Sequence, residues 1–264
     1  MQLNFQIFGE EGQPLIIVHG LFGSIANWRA VARELSQQYQ VFVVDQRNHG
    51  DSPHVNSMSY VDMAADLDEF VCTHDITDFI LCGHSMGGKA AMAYALSEYE
   101  SLKKMHSLII LDIAPDVYTH SHAPYLQAMS EVDLNVIGSR AEVEVILKEA
   151  IPDSATRLFL MQSLERKNAQ FRWKINVPIL RDFMSDIVGF PNEYFLQSSN
   201  QVNTLFLHGS HSDYVLPNMH KKIQAFFPNF TLDTIAAGHW LHVEQRDAML
   251  ASIRRFLNSD RMQN

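Results

Sequence analysis

Short apolar runs, each closed by a glycine or a polar residue, recur along the chain: PLIIVHG ending at Gly20, QVFVVDQ, FILCGHS, SLIILDIAP and, much later, NTLFLHG and TLDTIAAGH. Runs this short and this rich in β-branched residues predict buried strands rather than helices. Longer stretches with helical spacing lie between them, over 26–36, 60–74 and 89–99. Strands alternating with helices predict βαβ units and a mostly parallel sheet. The first run, LNFQIF, alternates apolar and polar positions and predicts an antiparallel edge strand.

The alternation stops after Pro115. From 116 to 191 there is no buried-strand run; AEVEVILKEA and SATRLFLMQSLERK have helical spacing, and KINVPILRDFMSDIVGF is a shorter pattern interrupted by proline. The pattern resumes near Gln201. This divides the chain into an α/β core, 1–115 and 192–264, and a helical insertion over 116–191. Ligands of an open α/β sheet bind beyond the carboxyl ends of the strands, so an insertion leaving one of those ends is expected to cover the site as a cap.

The chain has 264 residues, about half of them apolar, and a formal net charge of −10. That charge repels nucleic-acid phosphates and anionic membrane surfaces. Cys72 and Cys82 sit in apolar stretches without metal-like spacing, so no disulfide framework is expected and a reducing cytoplasm suits the chain. The opening MQLNFQIFGEEG lacks the basic patch and long apolar stretch of a signal peptide, and no segment reaches the length of a membrane span. His120 and His122 are two apart in THSH, but no third ligand accompanies them, and HExxH, GxGxxG and Walker patterns do not occur. No metal or organic cofactor is expected.

The residues that close the strands carry the chemistry. Gly83-His84-Ser85-Met86-Gly87 places a serine between glycines, after a strand and before an alanine-rich stretch. A nucleophile on a sharp strand-to-helix turn needs small neighbours, and the N–H of the next residue, Met86, is then free to hold an oxyanion. A serine hydroxyl needs a base. Of thirteen histidines, His239 in AAGHWLHVE follows the last strand, with glycine beside it to permit a loop, whereas His242 falls at the start of the last helix. The base needs a carboxylate. Asp213, after NTLFLHG, has a slight advantage from spacing; Asp112, closing SLIILDIAP, is the alternative. The second oxyanion donor belongs in the loop His19-Gly20-Leu21-Phe22-Gly23, with the N–H of Leu21 as the natural choice. DQRNHGDSP, from Asp45 to Pro53, is a polar loop expected to brace the architecture through Arg47 and a turn at Gly50.

Taken together, VHGLFGS, the D-x-R-N-H-G-x-S pattern, GHSMGGK, LDIAP and AGHWLHVE occur in the order found in the α/β-hydrolase superfamily, and the combination resembles the small bacterial esterases of the YbfF type over nearly the whole chain. The resemblance implies the α/β-hydrolase fold, a mostly parallel sheet flanked by helices with a helical cap. It also implies a hydrolase of carboxylic esters or thioesters. In those esterases the acid is the aspartate of the DIAP segment, here Asp112, and a serine matching Ser212 completes its hydrogen bonds. Where they carry proline, this chain has Asp213 directly after Ser212, which keeps Asp213 as the alternative acid.

The expected activity is acyl transfer to water by Ser85, His239 and Asp112 with an oxyanion held at Leu21 and Met86. The expected partner is a small-molecule acyl ester or thioester, and the chain a monomer or homodimer. An acyl-CoA thioesterase is one alternative; Arg172, Lys174 and Arg181 in the insertion could meet its anionic leaving group. A perhydrolase or C–C hydrolase on the same fold is another. A non-catalytic binder would leave the serine unactivated.

Overall fold

Each apolar run forms a strand in the computed structural model, which describes residues 1–119, 122–196 and 198–261. The strands are β1 (Phe5–Phe8), β2 (Gln13–Val18), β3 (Tyr39–Val44), β4 (Phe79–His84), β5 (Met105–Leu111), β6 (Leu164–Lys167), β7 (Gln170–Trp173), β8 (Asn203–Gly209) and β9 (Phe230–Ile235). Among the described residues, seven of them make one sheet in the order β1-β3-β2-β4-β5-β8-β9. β1 is the antiparallel edge, as its alternation predicts, and every other pairing in that sheet is parallel.

The central strands are apolar throughout because both faces are covered. In β2, Ile16 and Val18 pack into one apolar cluster while Leu15 and Ile17 pack into another; in β5, Leu108 and Ile110 divide from Ile109 and Leu111 in the same way. The cluster on one face is completed by α1 (Ile25–Leu35), and the cluster on the other by α2 (Tyr60–Thr73) and α3 (Met86–Leu96). Among the described residues, five helices fall within 116–191: α4 (Ala123–Ser130), α5 (Arg140–Ala150), α6 (Ser154–Met161), α7 (Val177–Asp182) and α8 (Met184–Val188). After β8 come α9 (His220–Phe226), α10 (Leu241–Glu244) and α11 (Arg246–Arg261), the last beside α1.

Three details differ from the sequence reading. The helix after β4 starts at Met86, three residues before the alanine-rich stretch. His242 sits in the separate short helix α10 rather than at the head of α11. The segment 116–191 also contains β6 and β7, an antiparallel hairpin of its own. Its turn residues Asn168 and Ala169 have φ 51° and 66°, the double left-handed turn that two-residue hairpins use. Alanine in place of the usual glycine, and charged residues in the strands, conceal it in the sequence.

The loop after β3 ties the layers together. Asp45 Oδ1 accepts the N–H of Ile25 at 2.7 Å, and Oδ2 accepts the N–H of Asp51 at 2.9 Å and Asn4 Nδ2 at 2.8 Å. Gly50 has φ 59°, and a Cβ there would lie 2.1 Å from the Asp45 carboxylate. Only glycine closes this turn. Arg47 makes a buried bidentate pair with Asp66 of α2, Nε to Oδ2 at 2.6 Å and Nη2 to Oδ1 at 2.9 Å. Asn48 receives the N–H of Asn176, at the head of α7, on its carbonyl at 2.9 Å.

Arg47→Ala leaves the buried Asp66 carboxylate with only the longer contact to the Met1 ammonium at 3.5 Å, and a broken buried pair costs roughly 3–5 kcal/mol. Denaturant unfolding of the variant should show a loss of that size. A loss under about 1 kcal/mol would contradict the bracing role.

Candidate active site

The carboxyl ends of β2, β4, β5 and β8, and the loop after β9, converge on one place. Ser85, between β4 and α3, has φ 53° and ψ −121°, a backbone strain that persists only where the surroundings impose it. They do so through glycine. A Cβ on Gly83 would lie 2.3 Å from the carbonyl oxygen of Gly87, one on Gly87 would lie 2.4 Å from the carbonyl oxygen of Val18, and one on Gly88 would lie 2.6 Å from Ile113 Cγ2. The turn is clamped between β2 and β5, and the Ser85 N–H donates to the Leu111 carbonyl at 3.0 Å.

Ser85 Oγ lies 2.9 Å from His239 Nε2. His239 Nδ1 lies 2.7 Å from Asp112 Oδ2. The carboxylate requires a proton on Nδ1, which leaves Nε2 as the acceptor for the Ser85 hydroxyl. Asp112 is fully buried, has φ 50°, and is oriented on every side. Its Oδ1 accepts the N–H of Gly209 at 2.8 Å, and its Oδ2 also accepts the Ser212 hydroxyl at 2.5 Å. The Ser212 oxygen in turn accepts the N–H of Tyr214 at 3.3 Å. Asp213 is exposed and is not the carboxylate at His239.

The loop after β2 is held in the shape an oxyanion site needs. Phe22 has φ 64°. Its N–H donates to His49 Nε2 at 3.3 Å, and the N–H of Gly23 donates to the Gly20 carbonyl at 3.0 Å. His49 Nδ1 donates to the Arg47 carbonyl at 3.0 Å, so the polar loop after β3 fixes the tautomer that receives Phe22. His19 Nδ1 donates to the Gly20 carbonyl at 2.8 Å, and its Nε2 accepts the N–H of Gln46 at 3.1 Å. The N–H groups of Leu21 and Met86 make no hydrogen bond among the described residues. Met86 is the first residue of α3, where the helix dipole favours negative charge.

Several contributors carry no motif. Tyr214 stacks on His239 with ring centres 3.8 Å apart. His84 Nε2 donates to the His239 carbonyl at 2.9 Å. His242 stacks on Trp28, ring centres 4.5 Å apart, and stands edge-on to His84. Burial keeps these rings neutral: it pushes His84 well below the usual imidazole range, His242 down to about 4 and His49 down to about 3. Lys89, one turn into α3, is also buried, and burial lowers its ammonium to about 7.

A cavity of about 210 Å³ opens beside Ser85 and His239, with Trp28, Phe159, Leu160 and Trp240 in its walls. Phe159 and Leu160 belong to α6, and Asn27 of α1 reaches Gln162 across the sequence at 2.6 Å. Arg172, Lys174 and Arg181 line neither this cavity nor the smaller one behind Ser85; they pair with Glu165, Asp51 and Asp182. His122 lines the cavity, His120 lies outside the described residues, and no three metal-ligating side chains converge among the described residues.

Comparison with known proteins places this geometry in a family. The α/β-hydrolase fold family model matches residues 13–245. The chain is 35% identical over 269 residues to a sn-1-specific diacylglycerol lipase of Danio rerio, covering 97% of this chain and 83% of that one. It is 34% identical over 264 residues to esterase YbfF of Escherichia coli K12, covering 98% and 100%. A solved marine microorganism esterase superposes with a TM-score of 0.91 at 37% identity, covering 97% of this chain and 99% of that one.

The buried neutral imidazoles make stability depend on pH. An unfolded histidine titrates near 6.5. His49 and His242 titrate lower in the folded protein, so the unfolded state binds more protons and stability falls as pH drops below about 6.5. Each group contributes a loss of roughly 2 kcal/mol by pH 5. Thermal melts should show Tm falling by several degrees from pH 7 to pH 5, and His242→Gln should reduce that slope. An unchanged Tm would show that these rings are not buried neutral. From the elbow, the oriented histidine and the match along 13–245, the chain belongs to the α/β-hydrolase family.

Proposed function

We propose that the chain is a serine hydrolase of carboxylic esters in which Ser85 is the nucleophile, His239 the base and Asp112 the acid. The observation that carries the reading is the continuous hydrogen-bonded path from Ser85 through His239 to the buried Asp112, at the wall of a cavity. The names of the relatives, esterase and diacylglycerol lipase, fall within the same class of ester.

Ser85 Oγ attacks the acyl carbon as its proton passes to His239 Nε2. Asp112 stabilises the imidazolium that forms and holds the ring in place. The carbonyl oxygen becomes an oxyanion that takes the N–H groups of Leu21 and Met86, donors already in place before charge develops. The tetrahedral adduct collapses, the bond to the leaving oxygen breaks, and that oxygen takes the proton from His239. Water then attacks the acyl-serine ester, gives a proton to His239, and Ser85 recovers it as the acid departs. Ser212 supports Asp112. His84 and Tyr214 position His239.

The segment 116–191 acts in this reading as the cap, since α4 and α6 supply Tyr125, Thr156, Phe159 and Leu160 to the cavity. Ser85, His239, Asp112 and the residues that wall the cavity all come from one chain. No helix among the described residues is long and apolar enough to cross a membrane, and both cysteines are unpaired, which suits a reducing cytoplasm. A thioester with a CoA leaving group loses the support that Arg172, Lys174 and Arg181 would give, because each is turned to an acidic neighbour.

Ser85→Ala and His239→Ala should each lower kcat/KM for p-nitrophenyl acetate by several orders of magnitude. Asp112→Asn should lower it by roughly 10⁴-fold through the wrong histidine tautomer, while Asp213→Asn should stay within about twofold, as exposed substitutions do. Near-normal activity of Ser85→Ala, or equal effects of the two aspartate changes, would reject the assignment.

A further inference from the structure

Two cavities of very different size meet at Ser85. The larger, about 210 Å³, is lined by His239 and not by Met86. The smaller, about 20 Å³, is lined by Met86 and not by His239. Leu21, Ser85, His122 and Tyr214 border both. We infer that the small cavity is the acyl site and that the enzyme selects esters of very short acids, acetyl above all, joined to bulky alcohols. This rests on the serine-hydrolase reading of Ser85 and His239.

The assignment follows from the directions of the bonds around the tetrahedral carbon. One is to Ser85 Oγ. One is to the oxyanion, which points at the N–H groups of Leu21 and Met86. The leaving oxygen must face His239 Nε2 to receive its proton, and so lies on the side of the large cavity. The remaining bond, to the rest of the acyl group, is directed to the other side, where the small cavity offers room. A space of this kind needs about 10–15 Å³ to admit one water, so 20 Å³ admits a group the size of a methyl and little more.

The wall of the small cavity is fixed. Ile187 and Val188, at the end of α8, face it. The Ile187 carbonyl accepts the buried Tyr60 hydroxyl at 2.6 Å. The Val188 carbonyl accepts the N–H of Tyr118 at 3.0 Å and Lys89 Nζ at 2.9 Å, and Lys89 Nζ donates also to the Gly189 carbonyl at 2.5 Å. Lys89 is buried and lies over the Tyr118 ring at 4.5 Å. Widening the cavity on this side would take the buried Lys89 amine from its two carbonyl acceptors, which is costly, so this wall is set by the fold. The larger cavity, with its aromatic walls, leaves the alcohol side permissive.

The test is kcat/KM for p-nitrophenyl acetate, butyrate and octanoate, with 1-naphthyl acetate and 1-naphthyl butyrate as a second alcohol. Acetate should exceed butyrate by roughly tenfold or more, since one or two methylenes beyond a pocket's limit count for that much, and octanoate by roughly a hundredfold or more. The naphthyl pair should show the same order. Ile187→Ala should narrow the acetate-to-butyrate ratio to about threefold or less, because acyl space is added. Val188→Ala is the second variant should the first fold poorly, and the same narrowing is expected of it. Octanoate turned over as well as acetate, or ratios unmoved in both folded variants, would overturn the inference while leaving the ester-hydrolase reading standing. Turnover of no ester at any length would overturn both.

Discussion

The structure depends on one tight crossing: the turn from β4 into α3 folds so closely on itself at Gly83, and passes so close to β2 at Gly87 and to the segment after β5 at Gly88, that no side chain fits at any of the three. That crowding holds Ser85 at φ 53° and lifts its hydroxyl to the carboxyl edge of the sheet. Backbone strain of this kind costs on the order of 1–3 kcal/mol and survives only when packing imposes it. Here the packing is the apolar core itself, since β2, β4 and β5 are covered on both faces. Core stability and nucleophile geometry are therefore one property. A change that loosens the sheet centre also relaxes the serine.

Around that turn, most buried polar groups are given a partner; His242 Nδ1 is the exception. Asp112 has no exposure and meets the Gly209 N–H, the Ser212 hydroxyl and His239. His49 and His19 are neutral rings, each donating at one nitrogen and accepting at the other. Such networks specify a single arrangement when every member is satisfied. The result is that Leu21 and Met86 keep their N–H groups available while those of Phe22 and Ser85 are engaged. The loop after β3 holds Phe22 through His49 and so shapes the loop that carries Leu21.

Much of this was legible in the sequence, for physical reasons. Strands buried on both faces read as unbroken apolar runs, which made β2, β3, β4, β5 and β8 visible, and the alternation of LNFQIF marked β1 as the edge. The glycines around Ser85 and beside His239 pointed to turns because only sharp turns need them. Other features were hidden. Gly87 and Gly88 are poor helix formers, so propensity delays α3 to Lys89, while the elbow begins it at Met86. The β6–β7 turn uses alanine at φ 66° and so lacks the usual signal. Spacing slightly favoured Asp213, whereas the carboxylate at His239 is Asp112, because the outcome depends on which carboxylate the backbone turns inward after its strand. Tyr214 on His239, and Lys89 under the end of α8, are contacts between distant segments that no local pattern encodes.

The central claim is that the strained elbow presents one serine activated by His239. Labelling with a fluorophosphonate probe, followed by peptide mapping, tests it most directly, because the probe reacts with activated serine whatever the native ester is. The account predicts one label per chain, on Ser85, absent from His239→Ala. A label on another serine, or no label on the folded wild-type protein, would contradict it.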